Sequence, residues 1–228
     1  MKRLLLLALV FPALAVLAAE PQRIVTLGDS ITKGVRPGVK AEETFAARLE
    51  AGLRAGGAGV SVVNVGIGGE RTDQALKRLA KDVLAQKPAV VTIMYGTNDS
   101  YVDQGKAASR ITLEEYRTNL GKLVDELRAA GITPVLMTEP RWGKTARLNG
   151  AGEHPNVRLE KYVEACRAVA AEKRTPLVDH FQHWTNAEAK GTDIGAWTTD
   201  QCHPNPDGHR VLAELMLPVV RAALKPAP

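Results

Sequence analysis

The sequence has few aromatic residues, few cysteines and little net charge, and each of these excludes a class of protein. Aromatic residues make up only 4% of its 228 residues, too few for the stacking platforms that bind single-stranded nucleic acid. Two cysteines cannot hold together a disulfide-rich miniprotein, and no Cys/His spacing matches a zinc finger. The formal net charge is only +5, and like charges never form a long run. We therefore expect no nucleic-acid partner.

Long apolar runs are also scarce, and the single one lies at the N-terminus. Two basic residues precede an apolar stretch over 4–17, and alanines follow it. A span of the bilayer takes about 20 residues, so this stretch is too short for one. The pattern is typical of a cleaved secretory signal peptide. We predict a leader over 1–19, a single domain over 20–228, export to the periplasm or the medium, and no transmembrane segment in the mature chain.

The rest of the chain alternates strand-like apolar runs with helical stretches. Such alternation is typical of βαβ units, in which a parallel sheet is covered on both faces. The predicted strands are 23–27, 60–65, 89–94, 134–138 and 177–178. The predicted helices are 44–53, 72–84, 112–130, 156–172 and 207–224, with Thr72, Thr112 and Asp207 as candidate caps.

Four polar blocks interrupt this pattern, and three of them directly follow a predicted strand. Ligand sites of parallel sheets form outside the carboxyl ends of the strands, so we expect the blocks to meet there. They are Gly28-Asp29-Ser30, Asn64-Val65-Gly66-Ile67-Gly68-Gly69, Gly96-Thr97-Asn98-Asp99 and Asp200-Gln201-Cys202-His203.

The blocks contain the residue types that acyl transfer needs. A serine hydroxyl becomes a nucleophile when a base takes its proton, and His203 could be the base for Ser30. Asp200 could orient the imidazole. The developing oxyanion needs hydrogen-bond donors, and the candidates are the Ser30 and Gly69 N–H groups and the Asn98 amide. Without these partners, Ser30 would be read as a helix cap.

Taken together and in this order, Ser30, Gly69, Asn98 and His203 resemble the SGNH (GDSL-type) hydrolase superfamily. The resemblance extends over about 23–220. It implies a flavodoxin-like, three-layer α/β/α sandwich with a central five-stranded parallel sheet, and neither metal nor cofactor. Ile31, where the name-giving motif has leucine, is a conservative departure.

The same resemblance implies a role for each matching position. Ser30 would be the nucleophile, with His203 and Asp200 completing the triad. The oxyanion donors would be Ser30, Gly69 and Asn98, with Gly68 as the alternative to Gly69. We expect an exported serine esterase that hydrolyses carboxylic esters, with short acyl groups, such as acetyl, on a small-molecule or polysaccharide substrate.

Two other functions stay open. One is a lysophospholipase or acyl-thioesterase that acts on lipids. The other is a catalytically silent carbohydrate-binding protein on the same scaffold. The sequence predicts no oligomeric state.

Four further residues are candidate substrate contacts. Arg141 and Trp142 follow the fourth predicted strand, at the start of a polar insertion over 140–155. Trp142 could stack on a sugar or simply pack under the insertion, and Trp197 precedes the Asp200 block. Asp29 is expected mainly to shape the turn before Ser30.

The remaining polar residues support less specific interpretations. Cys166 and Cys202 could form a disulfide, or they could be two separate buried thiols. Asp99 is interpreted as a turn residue, and Glu70-Arg71 as a local ion pair. We expect His180 and His183 to be exposed. A metal site formed by Asp200, His203 and His209 is disfavoured because no other ligands accompany it.

Overall fold

One parallel sheet is the frame that positions every candidate residue. The structure, a computed structural model, describes residues 21–224, so the predicted leader lies outside the described residues. Five strands pair in the order β2-β1-β3-β4-β5. They are β1 (Gln22–Gly28), β2 (Val60–Asn64), β3 (Val90–Met94), β4 (Thr133–Met137) and β5 (Leu177–Val178).

Helices cover both faces of the sheet. Every connection between successive strands contains a helix, which is how parallel strands are joined. The predicted α/β/α architecture is therefore confirmed. In the described range the helices are α1 (Ser30–Lys33), α2 (Phe45–Ala55), α3 (Thr72–Asp82), α4 (Thr97–Ser100), α5 (Leu113–Ala129), α6 (Pro155–Glu172), α7 (His180–Ala189) and α8 (Pro206–Ala223).

Alternate residues of each strand supply two separate cores. Val25 of β1 packs in the layer with α3, α5 and α6, while its neighbour Ile24 packs with α2 and α8. The central strand β3 is buried at all of its positions, which explains its uninterrupted apolar run. Each fully buried aliphatic side chain contributes roughly 1.5–3 kcal/mol to folding.

The helix ends only partly follow the predictions. Thr112 caps α5 as predicted, because its hydroxyl accepts an N–H of the first turn. Thr72 is instead the first residue of α3, with Arg71 at the cap position. Asn205, not Asp207, caps α8. The short helices α1 and α4 and the longer α7 were not predicted.

The two cysteines are separate buried thiols. Cys166 belongs to the core on one face of the sheet, and Cys202 belongs to the core on the other face. The disulfide considered from the sequence is therefore wrong for this fold. Among residues 21–224, no helix is both long and apolar enough to cross a membrane.

Candidate active site

The turn between β1 and α1 presents Ser30 at the carboxyl edge of the sheet. A Cβ on Gly28 would lie 2.1 Å from the Thr32 hydroxyl and 2.6 Å from the Met94 carbonyl, so only glycine allows this close approach. Asp29 then caps α1, and its Oδ1 accepts the Ile31 N–H at 2.8 Å. Ser30 follows as the first helical residue and remains half-buried.

Ser30, His203 and Asp200 form one hydrogen-bonded line. The Ser30 Oγ lies 2.8 Å from His203 Nε2. On the other side of the ring, His203 Nδ1 lies 2.9 Å from Asp200 Oδ2 and 3.1 Å from Oδ1. A neutral imidazole that donates from Nδ1 leaves Nε2 free to accept the serine proton. The arrangement can therefore activate the serine hydroxyl.

The loop that holds Asp200 and His203 is fixed by its own backbone. Asp200 Oδ1 accepts the N–H groups of Cys202 at 3.2 Å and His203 at 2.8 Å. Gln201 has a left-handed φ of 69°, which is uncommon for a non-glycine residue and closes this tight turn. Arg36, which lies outside this loop, donates to Asp200 Oδ2 at 2.7 Å.

These contacts set the charges of the pair. Burial would raise the pKa of Asp200, but hydrogen bonds from His203 and the nearby Arg36 hold it below 3.8. Burial lowers the pKa of His203 below 6.5, and this outweighs the opposite effect of Asp200. His203 is therefore a neutral base and Asp200 an anion at neutral pH.

Asn98 contacts the serine turn, and Gly69 lies in the loop that follows β2. Gly69 has a left-handed φ of 77° and open space where a Cβ would lie. Asn98 Nδ2 donates one hydrogen to Asp29 Oδ2 at 2.8 Å and keeps a second hydrogen. Within the described residues, neither Gly68 nor Gly69 donates its N–H to a backbone carbonyl. The choice between these two glycines stays a prediction.

Arg110 fixes the other end of the Asn98 amide, and the sequence analysis missed it. Its guanidinium donates to Asn98 Oδ1 at 3.1 Å and to Asp103 at 2.6 Å. It also lies over the Tyr101 ring, which stacks on Trp142. No motif marks an arginine twelve positions after the asparagine, so only the fold reveals this contact.

Behind the serine turn lie three buried carboxyl groups. Asp29, Asp99 and Glu139 are each at most 1% exposed. Burial raises the pKa of Asp29 to about 7 and that of Asp99 to about 6. It also raises the pKa of Glu139 well above 4.5. Glu139, directly after Thr138 at the end of β4, was not singled out from the sequence.

Two interpretations of neighbouring acids were wrong. Asp99 does not bond its own turn: its Oδ1 accepts the N–H and the hydroxyl of Thr72 at the start of α3. Glu70 does not pair with Arg71. Glu70 is buried and accepts from Arg78 at 2.5 Å and from Tyr95 at 2.6 Å, whereas Arg71 approaches Asp73. In both cases the buried carboxylate accepts hydrogen bonds from a residue that is distant in the sequence.

The predicted substrate contacts separate into two groups. The backbone of Trp142 is tied to Asn156, and its ring reaches Tyr101 beside the site. Arg141 instead approaches Thr185, Glu188 and the Phe181 ring, all on α7. Trp197 packs edge-on against the buried Trp184. Arg141 and Trp197 thus have partners in the scaffold.

The insertion that follows β4 touches the loop carrying His203. Gly143 donates its N–H to the Gln201 carbonyl at 2.7 Å, and Thr145 donates to the Gln201 side chain at 3.3 Å. A Cβ on Gly143 would lie 2.2 Å from Gln201 Oε1, so a larger residue would displace the Gln201 side chain. The insertion therefore supports the loop, in addition to lying at the surface.

The other histidines do not join this site. His180 was expected to be exposed, and this was wrong: it is buried, and burial lowers its pKa to about 3. His183 is exposed as expected. His209 is buried, and its Nδ1 accepts the Phe45 N–H. In the part of the chain that the structure describes, no three potential metal ligands cluster.

Comparison with known proteins identifies the family. A model of the GDSL-like lipase/acylhydrolase family matches residues 26–211. The chain belongs to this family. That membership confirms the resemblance drawn from the four blocks and makes the chain a carboxylic ester hydrolase of the GDSL-like type.

Individual GDSL-like relatives agree with this assignment. An acetylxylan esterase from Geobacillus stearothermophilus is 30% identical over 210 residues, covering 86% of this chain and 92% of that protein. The uncharacterized lipoprotein YqeF from Bacillus subtilis is 31% identical over 215 residues, covering 84% and 86%. The crystal structure of a lipase/acylhydrolase from Enterococcus faecalis superposes with a TM-score of 0.71 at 27% identity, covering 91% and 99%.

Proposed function

We propose that the protein is an exported serine esterase that removes short acyl groups, acetyl above all, from carbohydrate. One observation carries the proposal: a serine hydroxyl, an imidazole and a carboxylate lie in line, with 2.8 and 2.9 Å between successive groups. This is the order of groups that nucleophilic acyl transfer requires.

The reaction would begin with attack by Ser30 Oγ on the acyl carbonyl. His203 Nε2 takes the serine proton as the new C–O bond forms. Asp200 stabilises the resulting imidazolium, since its two oxygens already lie within 3.1 Å of Nδ1. The nearby Arg36 keeps Asp200 ionised and does not itself reach the reacting atoms.

The negative charge on the carbonyl oxygen would be held by three donors. They are the Ser30 N–H, the Gly69 N–H and the second hydrogen of Asn98 Nδ2. Asp29 and Arg110 hold opposite ends of the Asn98 amide, so this donor is already oriented before substrate arrives. A donor fixed in advance costs little reorganisation during the reaction.

The tetrahedral intermediate would then break down in two stages. His203 gives its proton to the leaving alcohol, and the acyl group stays on Ser30 as an ester. A water molecule, deprotonated by His203, attacks this acyl-enzyme. The second tetrahedral intermediate releases the carboxylic acid and returns the proton to Ser30.

Two observations favour a short acyl group on a sugar. The relative from Geobacillus stearothermophilus is named an acetylxylan esterase and matches most of this chain. The site rim carries Trp142 stacked on Tyr101 with Arg110 over the same ring. Aromatic faces beside hydrogen-bonding cations suit a sugar ring better than a long aliphatic chain.

Export is the second half of the proposal. Its support is the leader pattern over 1–19 and the relative named as a lipoprotein. Cleavage after Ala18 or Ala19 would remove the leader and leave the single domain that we predict over 20–228. Mass spectrometry of the N-terminus of protein from the periplasm or the medium tests this. An intact Met1 in cytoplasmic protein would contradict it.

The catalytic proposal is tested by acyl-length dependence. Hydrolysis of p-nitrophenyl esters from acetate to palmitate is measured with wild type and Ser30→Ala. We expect wild-type activity to fall sharply beyond butyrate, and we expect the variant to show no turnover. Wild type should also release acetate from acetylated xylo-oligosaccharides. Activity that rises to octanoate or longer would favour a lipid esterase or thioesterase. A fluorophosphonate probe should label Ser30, and failure to label would indicate a silent scaffold.

A further inference from the structure

Glu139 is a buried carboxyl group without a cation. It is 1% exposed, whereas glutamate is almost never fully buried unless it is paired. Its Cγ would lie 3.5 Å from a Cβ on Gly96, which places it directly beneath the turn that carries Asn98. Within the described range, none of the ion pairs includes it.

The groups that face Glu139 are acidic or neutral on every side. Asp29 lies on the serine turn and Asp99 on α4. Tyr116 on α5 and the buried thiols Cys166 on α6 and Cys202 beside His203 also interact with Glu139. Burial raises the pKa of Tyr116 well above 10, so it is neutral too. An ionised Glu139 would therefore be uncompensated in a dry site.

The hydrogen bonds of Asp29 indicate where a proton would go. Asp29 already accepts from Ile31 N–H at Oδ1 and from Asn98 Nδ2 at Oδ2. No side-chain N–H or hydroxyl donates to either Glu139 oxygen, the Thr97 N–H is the backbone donor that faces the carboxyl group, and the Asp29 carboxyl group lies beside it. The interaction of the two carboxyl groups lowers the pKa of Asp29 and raises that of Glu139. Two carboxyl groups can hydrogen-bond only if one of them carries a proton.

We propose that Glu139 is a protonated positioning residue whose carboxylic acid donates a hydrogen bond to Asp29. This inference rests on the proposed function. The bond favours the ionised form of Asp29, and an ionised Asp29 is the best acceptor for the Asn98 amide. Glu139 thus acts through Asp29 and Asn98 on the oxyanion. The protonated acid also leaves one negative charge fewer behind the oxyanion site.

Two variants of similar size separate this role from simple packing. Glu139→Gln keeps a donor for Asp29, whereas Glu139→Leu fills the space without one. We expect Glu139→Gln to keep kcat for p-nitrophenyl acetate within about threefold. We expect Glu139→Leu to lower kcat about 10- to 100-fold with little change in KM, less than the loss of a whole oxyanion donor. Equal kcat values for the two variants would overturn the proposal.

Infrared spectroscopy reads the proton directly and does not depend on catalysis or on the folding of the leucine variant. At mildly alkaline pH, wild type should show the carbonyl stretch of a neutral carboxylic acid. The band should shift when glutamate carries carbon-13 in its side-chain carboxyl, and it should vanish in Glu139→Gln. Absence of a glutamate-derived band would overturn the inference. An active Ser30→Ala variant would instead refute the proposed function and leave this band unaffected.

Discussion

Ser30 lies between two aspartates in opposite surroundings. On one side Asp200, with a side chain 40% exposed, holds His203. On the other side Asp29, fully buried, holds Asn98 and the serine turn. The pKa of Asp200 lies below 3.8, while burial raises that of Asp29 to about 7.

The contrast separates two ways of using a carboxylate. Asp200 is held ionised by donors around it, including Arg36 and two backbone N–H groups. Asp29 has backbone and amide donors too, but burial and the nearby Asp99 outweigh them. Asp200 therefore provides a stable negative charge for the imidazolium, whereas the ionisation of Asp29 depends on each hydrogen bond that it accepts.

Removing the negative charge of Asp200 should have the largest effect on activity. In Asp200→Asn, the amide can no longer accept both from His203 Nδ1 and from the backbone N–H groups. We expect kcat for p-nitrophenyl acetate to fall about 10⁴-fold, the scale seen when a triad carboxylate becomes an amide. Asp207→Asn, exposed at the start of α8, is the control and should match wild type. A loss below tenfold would remove Asp200 from the proposed triad.

Replacing Asp29 should have the next largest effect on activity. Asp29→Asn keeps the shape but presents one NH₂ group to a donor, either Ile31 N–H or Asn98 Nδ2. We expect kcat to fall about 10²-fold, because one oxyanion donor is misplaced. Progress curves under saturating substrate measure this loss.

Asp99→Asn is the matched control for that variant. It removes a charge from the same buried cluster, but Oδ1 can still accept both bonds from Thr72, and Oδ2 has no partner to lose. We expect kcat within about threefold of wild type. If both variants lose activity equally, the loss of buried charge, and not the Asn98 contact, explains the effect.

The same contrast explains what the sequence could predict. Local sequence patterns were enough to predict the strands, the polar blocks and the family. Each strand, turn or glycine-rich segment can be recognised from a few neighbouring residues. The close meeting of Ser30, His203 and Asp200 was expected because these are the residue types of a catalytic triad, with Ser30 at the end of a strand and the other two just before the last helix. Their catalytic roles stay a prediction.

Partners far apart in the chain left no such local pattern. Arg36 meets Asp200 across 164 positions, and Asp99 meets Thr72 across 27. Glu139 looked like an ordinary polar residue after a strand, and only burial from several elements shows that it is unusual. His180 was expected to be exposed because the sequence shows no carboxylate or cysteine partner for it, and its burial also depends on the fold.

A third variant tests how strongly the buried acids depend on their donors. Thr72→Val removes the hydroxyl that donates to Asp99 at 2.6 Å and accepts from Asn119 at 3.2 Å. We expect a loss of about 1–3 kcal/mol in the free energy of unfolding, because buried polar groups lose their partner. Urea titration measures it. Thr72→Ser, which keeps the hydroxyl, should lose clearly less, and equal losses would contradict the hydrogen-bond explanation.

The smallest expected effect is a shift in the pH dependence of activity when Arg36, which contacts Asp200, is replaced. The cation of Arg36 lowers the pKa of His203, which lies below 6.5 in wild type. The acidic limb of kcat/KM should therefore lie below 6.5, since His203 must be neutral to act as the base.

In Arg36→Gln the cation is gone, so the imidazolium is less disfavoured and the acidic limb should move to higher pH. An exposed charge pair contributes up to about 1 kcal/mol, and one pKa unit corresponds to about 1.4 kcal/mol. The shift should therefore stay below one unit and should shrink in high salt. Arg210→Gln, an exposed change on α8, should leave the limb in place. A shift towards lower pH would mean that Arg36 acts on Asp200 mainly by holding its position, with its charge contributing little to the titration of His203.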